Sequence, residues 1–351
     1  MKNLTTLLIS IVFIATFGFG QTTYVPDDNF EQALIDLGYD DVLNDSVLTA
    51  NISGVTSLNV NDKSISDLTG IEGFTALTNL ECCCNLLSSL DVSNNTALTQ
   101  LHPDQNQLTS LDVSNNTALE GMNLDGNQLT SLDVSNNTAL TQLHCRFNQL
   151  TSLDVSANTA LTNLDCYDNQ FTSLDVSSNT ALTGLHFGSN QLTSLDVSSN
   201  TALTFLDCYD NQLTALDVSS NTALEVLHCN DNQLTSLDVS SHTVLSELQC
   251  YTNQLTSLDV SNNTVLQILN CGANQLTSLD VSSNTALVEL ACSENQLTYL
   301  NMRNGVTDQL IVFHENNNSN LTCIEVLDPT WATANWTSAN GNIDAGVTFD
   351  V

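Results

Sequence analysis

The sequence LTSLDVSSNTALTFLDCYDNQ, residues 192–212, determines the fold because close copies of it fill most of the chain. Each copy starts directly after the last residue of the one before, without insertion or deletion, which gives ten full units over residues 87–296 and a partial unit after them. A fixed period of this length is typical of solenoids, in which each unit contacts only its neighbours. The units begin at Leu87, Leu108, Leu129, Leu150, Phe171, Leu192, Leu213, Leu234, Leu255, Leu276 and Leu297.

Apolar residues occupy the first, fourth, sixth, twelfth, fifteenth and seventeenth positions of the unit. The alternating L-x-C at the fifteenth to seventeenth positions predicts a short strand with leucine and cysteine inward, and L-D-V predicts a second extended stretch half a coil away. A unit as short as residues 192–212 cannot hold both a strand and a full helix. We therefore expect flattened coils stacked about 4.8 Å apart, with about twelve or thirteen coils in all.

One asparagine recurs in every unit, and we interpret it as an inward side chain that satisfies backbone groups in the turn after the strand. This asparagine ladder is predicted to comprise Asn85, Asn106, Asn127, Asn148, Asn169, Asn190, Asn211, Asn232, Asn253, Asn274, Asn295 and Asn316. A second ladder runs from Asn95 to Asn284 and is interrupted only by His242. Both ladders have a structural interpretation.

Eight of the eleven cysteines share the inward seventeenth position, and we call them the cysteine ladder: Cys82, Cys145, Cys166, Cys208, Cys229, Cys250, Cys271 and Cys292. Stacked thiols about 4.8 Å apart lie within disulfide range, but parallel in-register side chains would strain the bridge. Metal binding needs thiolates that converge on one point. We favour small buried thiols, because Pro103, Leu124, Phe187 and Phe313 stand at the same position. Cys84 lies outside the ladder and is a candidate exposed thiol.

The frame L-x-x-L-x-C-x-x-N-x-L, as in Leu161, Leu164, Cys166, Asn169 and Phe171, resembles the leucine-rich-repeat signature. The nested L-x-x-L-D-V-x-x-N half and the length of the unit are similar to those of the bacterial IRREKO-type repeat. The flanks resemble the caps of secreted Bacteroidetes and internalin-like proteins. The resemblance implies a solenoid of flattened right-handed coils with parallel β ladders, a helical N-terminal cap and an irregular C-terminal cap. It implies function only weakly.

The quoted flanks that carry this resemblance define the expected domains. TYVPDDNFEQALIDLGYDDVLNDSVLTANI (23–52) falls in an N-terminal cap over 21–54, and VTSLNVNDKSISDLTGIEGFTALTNL (55–80) is a slightly longer first repeat. The solenoid extends over 55–316. NLTCIEV and ATANWTS fall in a C-terminal cap over 317–351, where Trp331 and Trp336 seal the core. Relatives that use type IX secretion carry a C-terminal sorting domain and often a second cysteine, and this sequence matches neither after Cys323.

The N-terminal cap is expected to contain a short amphipathic helix through Phe30, Ala33, Leu34 and Leu37, with an acidic start. Relatives often have a calcium-type loop after this helix. The loop here contains Asp40, Asp41, Asn44 and Asp45 but lacks the glycine-containing spacing of an EF-hand. No cofactor is expected, and calcium remains the one candidate ion.

Composition constrains the partners. The chain has 39 acidic and 4 basic residues and a formal net charge of -35, which disfavours nucleic acid and anionic membranes and attracts cations or basic protein surfaces. Solubility alone is the simpler explanation of this charge. Residues 1–20 resemble a secretory signal peptide cleaved near Gly20, and no later stretch is long and apolar enough to span a membrane. We expect a secreted or cell-surface monomer.

The binding surface is expected where the repeats vary, at the thirteenth, fourteenth, sixteenth, eighteenth and nineteenth positions around the strand. Histidine alternates with aspartate in the sixteenth row, and tyrosine recurs every second coil in the eighteenth row. The candidate ligand-binding residues are Tyr167, Tyr209, Tyr251, His144, His186, His228, Asp165, Asp207, Phe205, Asp168 and Asp210. Three interpretations stay open: duplication with solvated polar residues, a protein or glycan contact surface, and metal binding between a histidine and an aspartate one coil away.

The fifth position forms an aspartate ladder of Asp91, Asp112, Asp133, Asp154, Asp175, Asp196, Asp217, Asp238, Asp259 and Asp280. Stacked carboxylates repel unless they accept hydrogen bonds, with serine or threonine at the second, third and seventh positions as donors, or unless cations bridge them. Calcium bridging leads to the alternative function, a calcium-dependent structural or surface-layer protein. No catalytic triad or phosphate loop is visible, so we do not expect an enzyme. Ice binding by a threonine ladder is disfavoured by the charged neighbours. The main expectation is a recognition or adhesion module.

Overall fold

The computed structural model describes residues 20–351, and the predicted signal peptide therefore lies almost entirely outside the described residues. The chain begins with two short strands that pair antiparallel, β1 (Thr22–Tyr24) and β2 (Ser46–Leu48). Helix α1 (Asp28–Asp36) lies between them, and α2 (Thr49–Ile52) follows. Asp27 caps α1, since its carboxylate accepts the backbone N–H groups of Asn29 and Phe30.

Helix α1 places Phe30 and Leu34 in the core, where the Phe30 ring lies 6.5 Å from that of Phe74. Glu31 on the same helix is fully buried and accepts the backbone N–H groups of Asn44, Asp45 and Ser46. This carboxylate organises the acidic loop after the helix, a role that the apolar periodicity of the sequence does not predict.

The repeats form a succession of three-residue strands: β3 (Ser57–Asn59), β4 (Asn79–Glu81), β5 (Gln100–His102), β6 (Gly121–Asn123), β7 (Gln142–His144), β8 (Asn163–Asp165), β9 (Gly184–His186), β10 (Phe205–Asp207), β11 (Val226–His228), β12 (Glu247–Gln249), β13 (Ile268–Asn270), β14 (Ser278–Asp280), β15 (Glu289–Ala291), β16 (Tyr299–Asn301) and β17 (Val312–His314). Except for β14 and β16, these strands form one parallel sheet of thirteen strands. The expected leucine-rich-repeat solenoid with parallel ladders is confirmed.

The strands stack in register, so each repeat position forms a row across the sheet. Leu185 pairs with Leu164 on one side and with Leu206 on the other, and all three are buried. The core between the two sides of the coil consists of stacked leucine, valine and cysteine side chains.

The first repeat is slightly longer than the others, as predicted. The Thr78 hydroxyl donates to the carbonyl of Thr56 across a separation of 22 residues. The equivalent bond in the next coil, from the Thr99 hydroxyl to the carbonyl of Thr78, spans 21 residues. The additional residue therefore lies before β4. The strands nevertheless stay in register, as the pairing of Leu58 with Leu80 shows.

The asparagine ladder ties each turn to the coil before it. In Asn211, Nδ2 donates to the carbonyls of Phe187, Cys208 and Tyr209, and Oδ1 accepts the N–H of Leu192. Equivalent bonds are made by Asn148, Asn169, Asn190 and Asn232. These side chains satisfy backbone groups within the core, as the sequence predicted.

The second asparagine ladder makes fewer bonds. In Asn200, Nδ2 donates to the carbonyls of Val176 and Asn179, and Oδ1 has no partner. At the interruption, the His242 ring is fully buried and its Nε2 lies 3.0 Å from the carbonyl of Val218. The imidazole therefore occupies the place of the asparagine amide.

The cysteine ladder is fully buried, and its members are free thiols. The sulfurs of Cys145 and Cys166 are 3.2 Å apart. Burial raises the pKa of Cys229 and of Cys271 to about 12, which keeps these thiols neutral. The pKa values of Cys166 and Cys208 are raised for the same reason. The side chains fill the narrow coil, as the favoured interpretation proposed.

The predicted second extended stretch is only partly realised. Within residues 20–351, the L-D-V segment forms a strand only in β14, and the equivalent Leu300 and Asn301 lie in β16. These two strands continue in parallel with β18 (Cys323–Glu325) and β19 (Thr348–Asp350). The earlier coils contribute one isolated bridge, between Asp91 and Asp112. Turns satisfy the backbone after these segments, such as the bond from the N–H of Asn95 to the carbonyl of Val92.

The last coil differs from the prediction because it contains two additional residues. Asn318, not Asn316, completes the asparagine ladder: its Oδ1 accepts the N–H of Leu297, and its Nδ2 donates to the carbonyl of Cys292. Phe313 pairs with Leu290 and thus belongs to the leucine row, not to the cysteine row as predicted. The buried residue that follows Cys292 in the cysteine row is Glu315.

The C-terminal segment is more regular than expected, since it includes β18, β19 and helix α3 (Pro329–Asn335). Trp336 is buried with its ring 4.2 Å from that of Phe313 and 5.6 Å from that of Trp331. The two tryptophans therefore cover the end of the core, as predicted. Among the described residues no helix is both long and apolar enough to cross a membrane.

Candidate binding surface

The outward residues of the thirteen-stranded sheet, with the two residues after each cysteine-row position, form the strand face. In-register pairing places His186 between Asp165 and Asp207, and Asp207 next to His228. The alternation of histidine and aspartate predicted for the sixteenth row is therefore a continuous stripe. His144 extends it on the far side of Asp165.

Three aromatic rings meet in the middle of the strand face, and we call Phe147, Tyr167 and Tyr209 the aromatic patch. The Phe147 and Tyr167 rings are 5.2 Å apart and edge-on, and the Tyr167 and Tyr209 rings are 5.6 Å apart. The tyrosines are half-buried and Phe147 is exposed. Such amphipathic rings are rigid anchors for recognition.

Gly188 allows the two tyrosines to meet across an intervening coil. A Cβ atom at this position would lie 2.7 Å from Cε1 of Tyr209 and 3.3 Å from Cδ2 of Tyr167. The absent side chain leaves the space that the rings fill. Tyr251 lies two coils beyond Tyr209, and the buried Asn230 occupies the coil between them. Within residues 20–351, the Tyr251 ring contacts no other aromatic ring.

A second aromatic group borders the patch. The His186 ring is stacked on Phe205 at 4.4 Å, and the His228 ring meets Phe205 edge-on at 5.5 Å. His228 Nε2 also lies 2.9 Å from a carboxylate oxygen of Glu247. Burial lowers the pKa of His186, although the neighbouring Asp165 opposes this effect.

Asp165 and Asp207 are buried in the strand face, with 7% and 9% of their surface exposed. Burial raises the pKa of Asp207 to about 6 and raises that of Asp165 in the same direction. Each accepts the backbone N–H two residues on, from Tyr167 at 3.2 Å and from Tyr209 at 3.3 Å. These two carboxylates therefore position the tyrosine backbone, and little of their surface is accessible to a ligand.

Asp168 and Asp210 are the accessible carboxylates beside the tyrosines. Both have a left-handed backbone, with φ of 52° and 50°. Asp210 accepts a hydrogen bond from the Ser189 hydroxyl at 2.9 Å. Arg146 is already paired with Asp125 at 2.7 Å and with Asp165 at 3.6 Å. The environment of the aromatic patch is therefore acidic.

The histidine–aspartate stripe provides no convergent set of metal ligands. Within residues 20–351, only two groups have three His, Cys, Asp or Glu ligand atoms within 4.8 Å of one another: Asp62 with Cys83 and Cys84, and Asp28 with Glu31 and Asp45. Neither group belongs to the stripe. In the second group, Glu31 is already saturated by backbone N–H donors.

The aspartate ladder is stabilised by internal hydrogen bonds. Each carboxylate accepts the backbone N–H of the serine two residues on, such as Ser114 to Asp112 and Ser135 to Asp133, both at 2.9 Å. Hydrogen bonds from the serine hydroxyl and N–H lower the pKa of both carboxyls. The seventh-position donors predicted from the sequence are confirmed, and they stabilise the ionised carboxylates.

Comparison with known proteins identifies the class. The family model "Endo-beta-N-acetylglucosaminidase EndoS LRR domain" matches residues 53–158, and "Leucine Rich repeats (2 copies)" matches residues 201–242. A solved structure described as "Functional domain of InlJ from Listeria monocytogenes includes a cysteine ladder" is 38% identical. The match has a TM-score of 0.77 and covers 88% of this chain and 76% of that one. The fold and these matches define a leucine-rich-repeat protein.

The chain belongs to the internalin-like leucine-rich-repeat proteins. Curated Internalin J of Listeria monocytogenes serotype 4b (strain F2365) is 37% identical over 84 residues, which are 23% of this chain and 9% of that protein. The Listeria monocytogenes internalin inlF has the same fold, with 22% identity, a TM-score of 0.70 and coverage of 93% and 95% of the two chains.

Proposed function

We propose that this protein is a recognition or adhesion module that binds an extracellular protein or glycan through the strand face, with the aromatic patch at the centre of the contact. The observation that carries the proposal is the contact between Tyr167 and Tyr209 above Gly188. Two large rings held together beside accessible carboxylates provide apolar area and hydrogen-bond acceptors on a rigid scaffold. Similarity to the InlJ functional domain supports a binding role over a catalytic one.

The charge of the surface favours a partner with donor groups. Asp168 and Asp210 are accessible, and the nearby Arg146 is neutralised by Asp125 and Asp165. Basic side chains stack on tyrosine and pair with carboxylates, and sugar hydroxyls donate to the same oxygens. Location outside the cell rests on the signal-like sequence of residues 1–20.

The double variant Tyr167→Ala/Tyr209→Ala tests the aromatic patch. We expect binding of the labelled full chain to immobilised glycans or cell-surface proteins to weaken by at least about tenfold, because truncated central aromatics each cost more than about 1 kcal/mol. Tyr299→Ala is the matched control, since Tyr299 lies in β16 of the other sheet with 38% of its surface exposed. Equal binding of the double variant and the wild type, with both folded by circular dichroism, would refute the proposal. Adding Tyr251→Ala measures how far the surface extends.

The variant Gly188→Ala tests the arrangement of the rings while keeping both. Its methyl group would collide with Tyr209 at 2.7 Å and push the tyrosines apart. We expect weaker binding with a nearly unchanged thermal midpoint, since the displaced rings are half-buried at the surface. Gly272→Ala, in the same eighteenth row but without a tyrosine contact, should bind as the wild type does. Unchanged binding by Gly188→Ala would show that ring contact is irrelevant.

A further inference from the structure

A second chemical feature lies at the N-terminal end of the strand face, four coils from Tyr167. The coil with β4 contains three consecutive cysteines, whereas the other coils have at most one. Cys82 points inward and belongs to the cysteine ladder, but Cys83 is half-buried and Cys84 is exposed. The sulfur atoms of Cys83 and Cys84 are 3.0 Å apart. This pair of adjacent thiols departs from an otherwise regular repeat.

Asp62 on the preceding coil provides a third donor. One carboxylate oxygen of Asp62 and the two sulfurs all lie within 4.8 Å of one another. Tetrahedral zinc with sulfur bonds near 2.3 Å requires sulfurs about 3.8 Å apart, so a small side-chain rotation of the two cysteines is sufficient. Thiolate donors select soft or borderline cations such as zinc over calcium.

Backbone contacts between coils hold the three donors in place. The N–H of Asp62 donates to the carbonyl of Cys83 at 3.1 Å, and the N–H of Cys84 donates to the carbonyl of Asp104 at 3.0 Å. The N–H of Cys83 donates to Oδ1 of Asn61 at 2.7 Å. The donors are therefore attached to stacked, rigid backbone rather than to a mobile loop.

The charges around Asp62, Cys83 and Cys84 favour a bound cation. The carboxylates of Asp104 and Asp62 both place negative charge beside the Cys83 thiol. Lys63, the nearest strong cation in sequence, points to Asp36 on α1 at 3.8 Å. A divalent ion would compensate the carboxylates and stabilise the two thiolates.

We propose that Asp62, Cys83 and Cys84 form a binding site for a borderline-soft divalent cation of the zinc class, with a fourth position open to water. On binding, the two S–H bonds break, two sulfur–metal bonds form and two protons go to solvent, so no oxidant is needed. The ladder thiols do not offer a competing site, because they are buried in a straight row.

Cadmium titration of the reduced full chain tests this site, because cadmium bound to thiolate has an ultraviolet charge-transfer absorption. We expect the band to saturate at one ion per chain, to be displaced by zinc and to weaken as the pH falls. The double variant Cys83→Ser/Cys84→Ser should lose the band, and Asp62→Asn should bind more weakly. Cys323→Ser, which alters a half-buried cysteine elsewhere, is the matched control and should keep the band.

Two outcomes would overturn the proposal. One is the absence of the band in reduced wild-type protein that is folded by circular dichroism. The other is a band that persists unchanged in the double serine variant, which would assign it to the ladder thiols. Because the aromatic patch is four coils away, ligand binding by Tyr167 and Tyr209 can fail without affecting this result, and the converse also holds.

Discussion

Alanine at Asn211 is expected to lower the free energy of unfolding by about 3–5 kcal/mol, because it removes four hydrogen bonds from the core and leaves the buried N–H of Leu192 without a partner. The amide of Asn211 accepts the N–H of Leu192 and donates to three carbonyls in two coils. A methyl group replaces none of these bonds, and water has no access to the site, where 8% of the residue is exposed. The cost is that of one unsatisfied buried N–H and of three lost bonds to carbonyls that keep a second donor, in addition to a small cavity.

The matched control is Asn200→Ala in the second asparagine ladder. It removes the same buried amide, but Asn200 makes two hydrogen bonds and its Oδ1 has none. We expect a loss of about 1–3 kcal/mol for this variant. Urea unfolding followed by circular dichroism measures the loss of stability in both variants. The dependence of the unfolding free energy on urea concentration must be the same in each protein, because coils of a repeat protein can unfold separately. A loss at Asn211 no larger than that at Asn200 would contradict this account.

Glutamine at Glu315 is expected to stabilise the protein at pH 8 by about 2–3 kcal/mol and to leave it unchanged near pH 4. Glu315 is fully buried, and neither of its carboxylate oxygens has a hydrogen-bond partner. Burial raises its pKa from 4.5 to about 7, and the charge of Asp344 acts in the same direction. Glutamine keeps the shape of the side chain and removes the buried charge.

The sign follows from proton uptake. Between about pH 4.5 and pH 7 the folded chain binds more protons at Glu315 than the unfolded chain does, so the contribution of this residue to stability falls as the pH rises. Above pH 7 the full penalty is present. Thermal melts of wild type and Glu315→Gln across this pH range measure the difference in stability between the two proteins. The effects of the other carboxyls are the same in both proteins and cancel in this difference. Exposed Glu294→Gln should differ from wild type by no more than about 0.5 kcal/mol. A constant difference between wild type and Glu315→Gln at every pH would rule out the buried charge as its cause.

The regular part of the fold could be predicted because stacking makes each repeat position equivalent in every coil. The inward leucines, the asparagine ladder and the buried thiols of Cys166, Cys208 and Cys229 all follow from the period. The last coil could not be aligned by spacing, since three consecutive asparagines, 316–318, offer three registers. The backbone pairing of Phe313 with Leu290 and the hydrogen bonds of Asn318 show that the last coil has two additional residues.

The candidate site was predictable as a set of rows but not as a set of contacts. Variation between repeats pointed to the strand face and to Tyr167 and Tyr209. The contact between their rings depends on side-chain rotamers and on the space above Gly188, neither of which a repeat pattern specifies. The burial of Asp165 and its bond from the N–H of Tyr167 depend on neighbouring side chains, so its positioning role was not visible in the sequence.

The aspartate ladder places one negative charge on each coil, so the charges form a continuous row along one edge of the molecule. Its carboxyls, such as Asp112, Asp154 and Asp196, have lowered pKa values and are ionised at neutral pH. Their spacing of about 4.8 Å is shorter than the Debye length of about 8 Å in physiological salt, so the charges act together and gather a counterion atmosphere. A basic surface that docks along this edge would release those ions, and the entropy gained would make such association strongest in dilute salt.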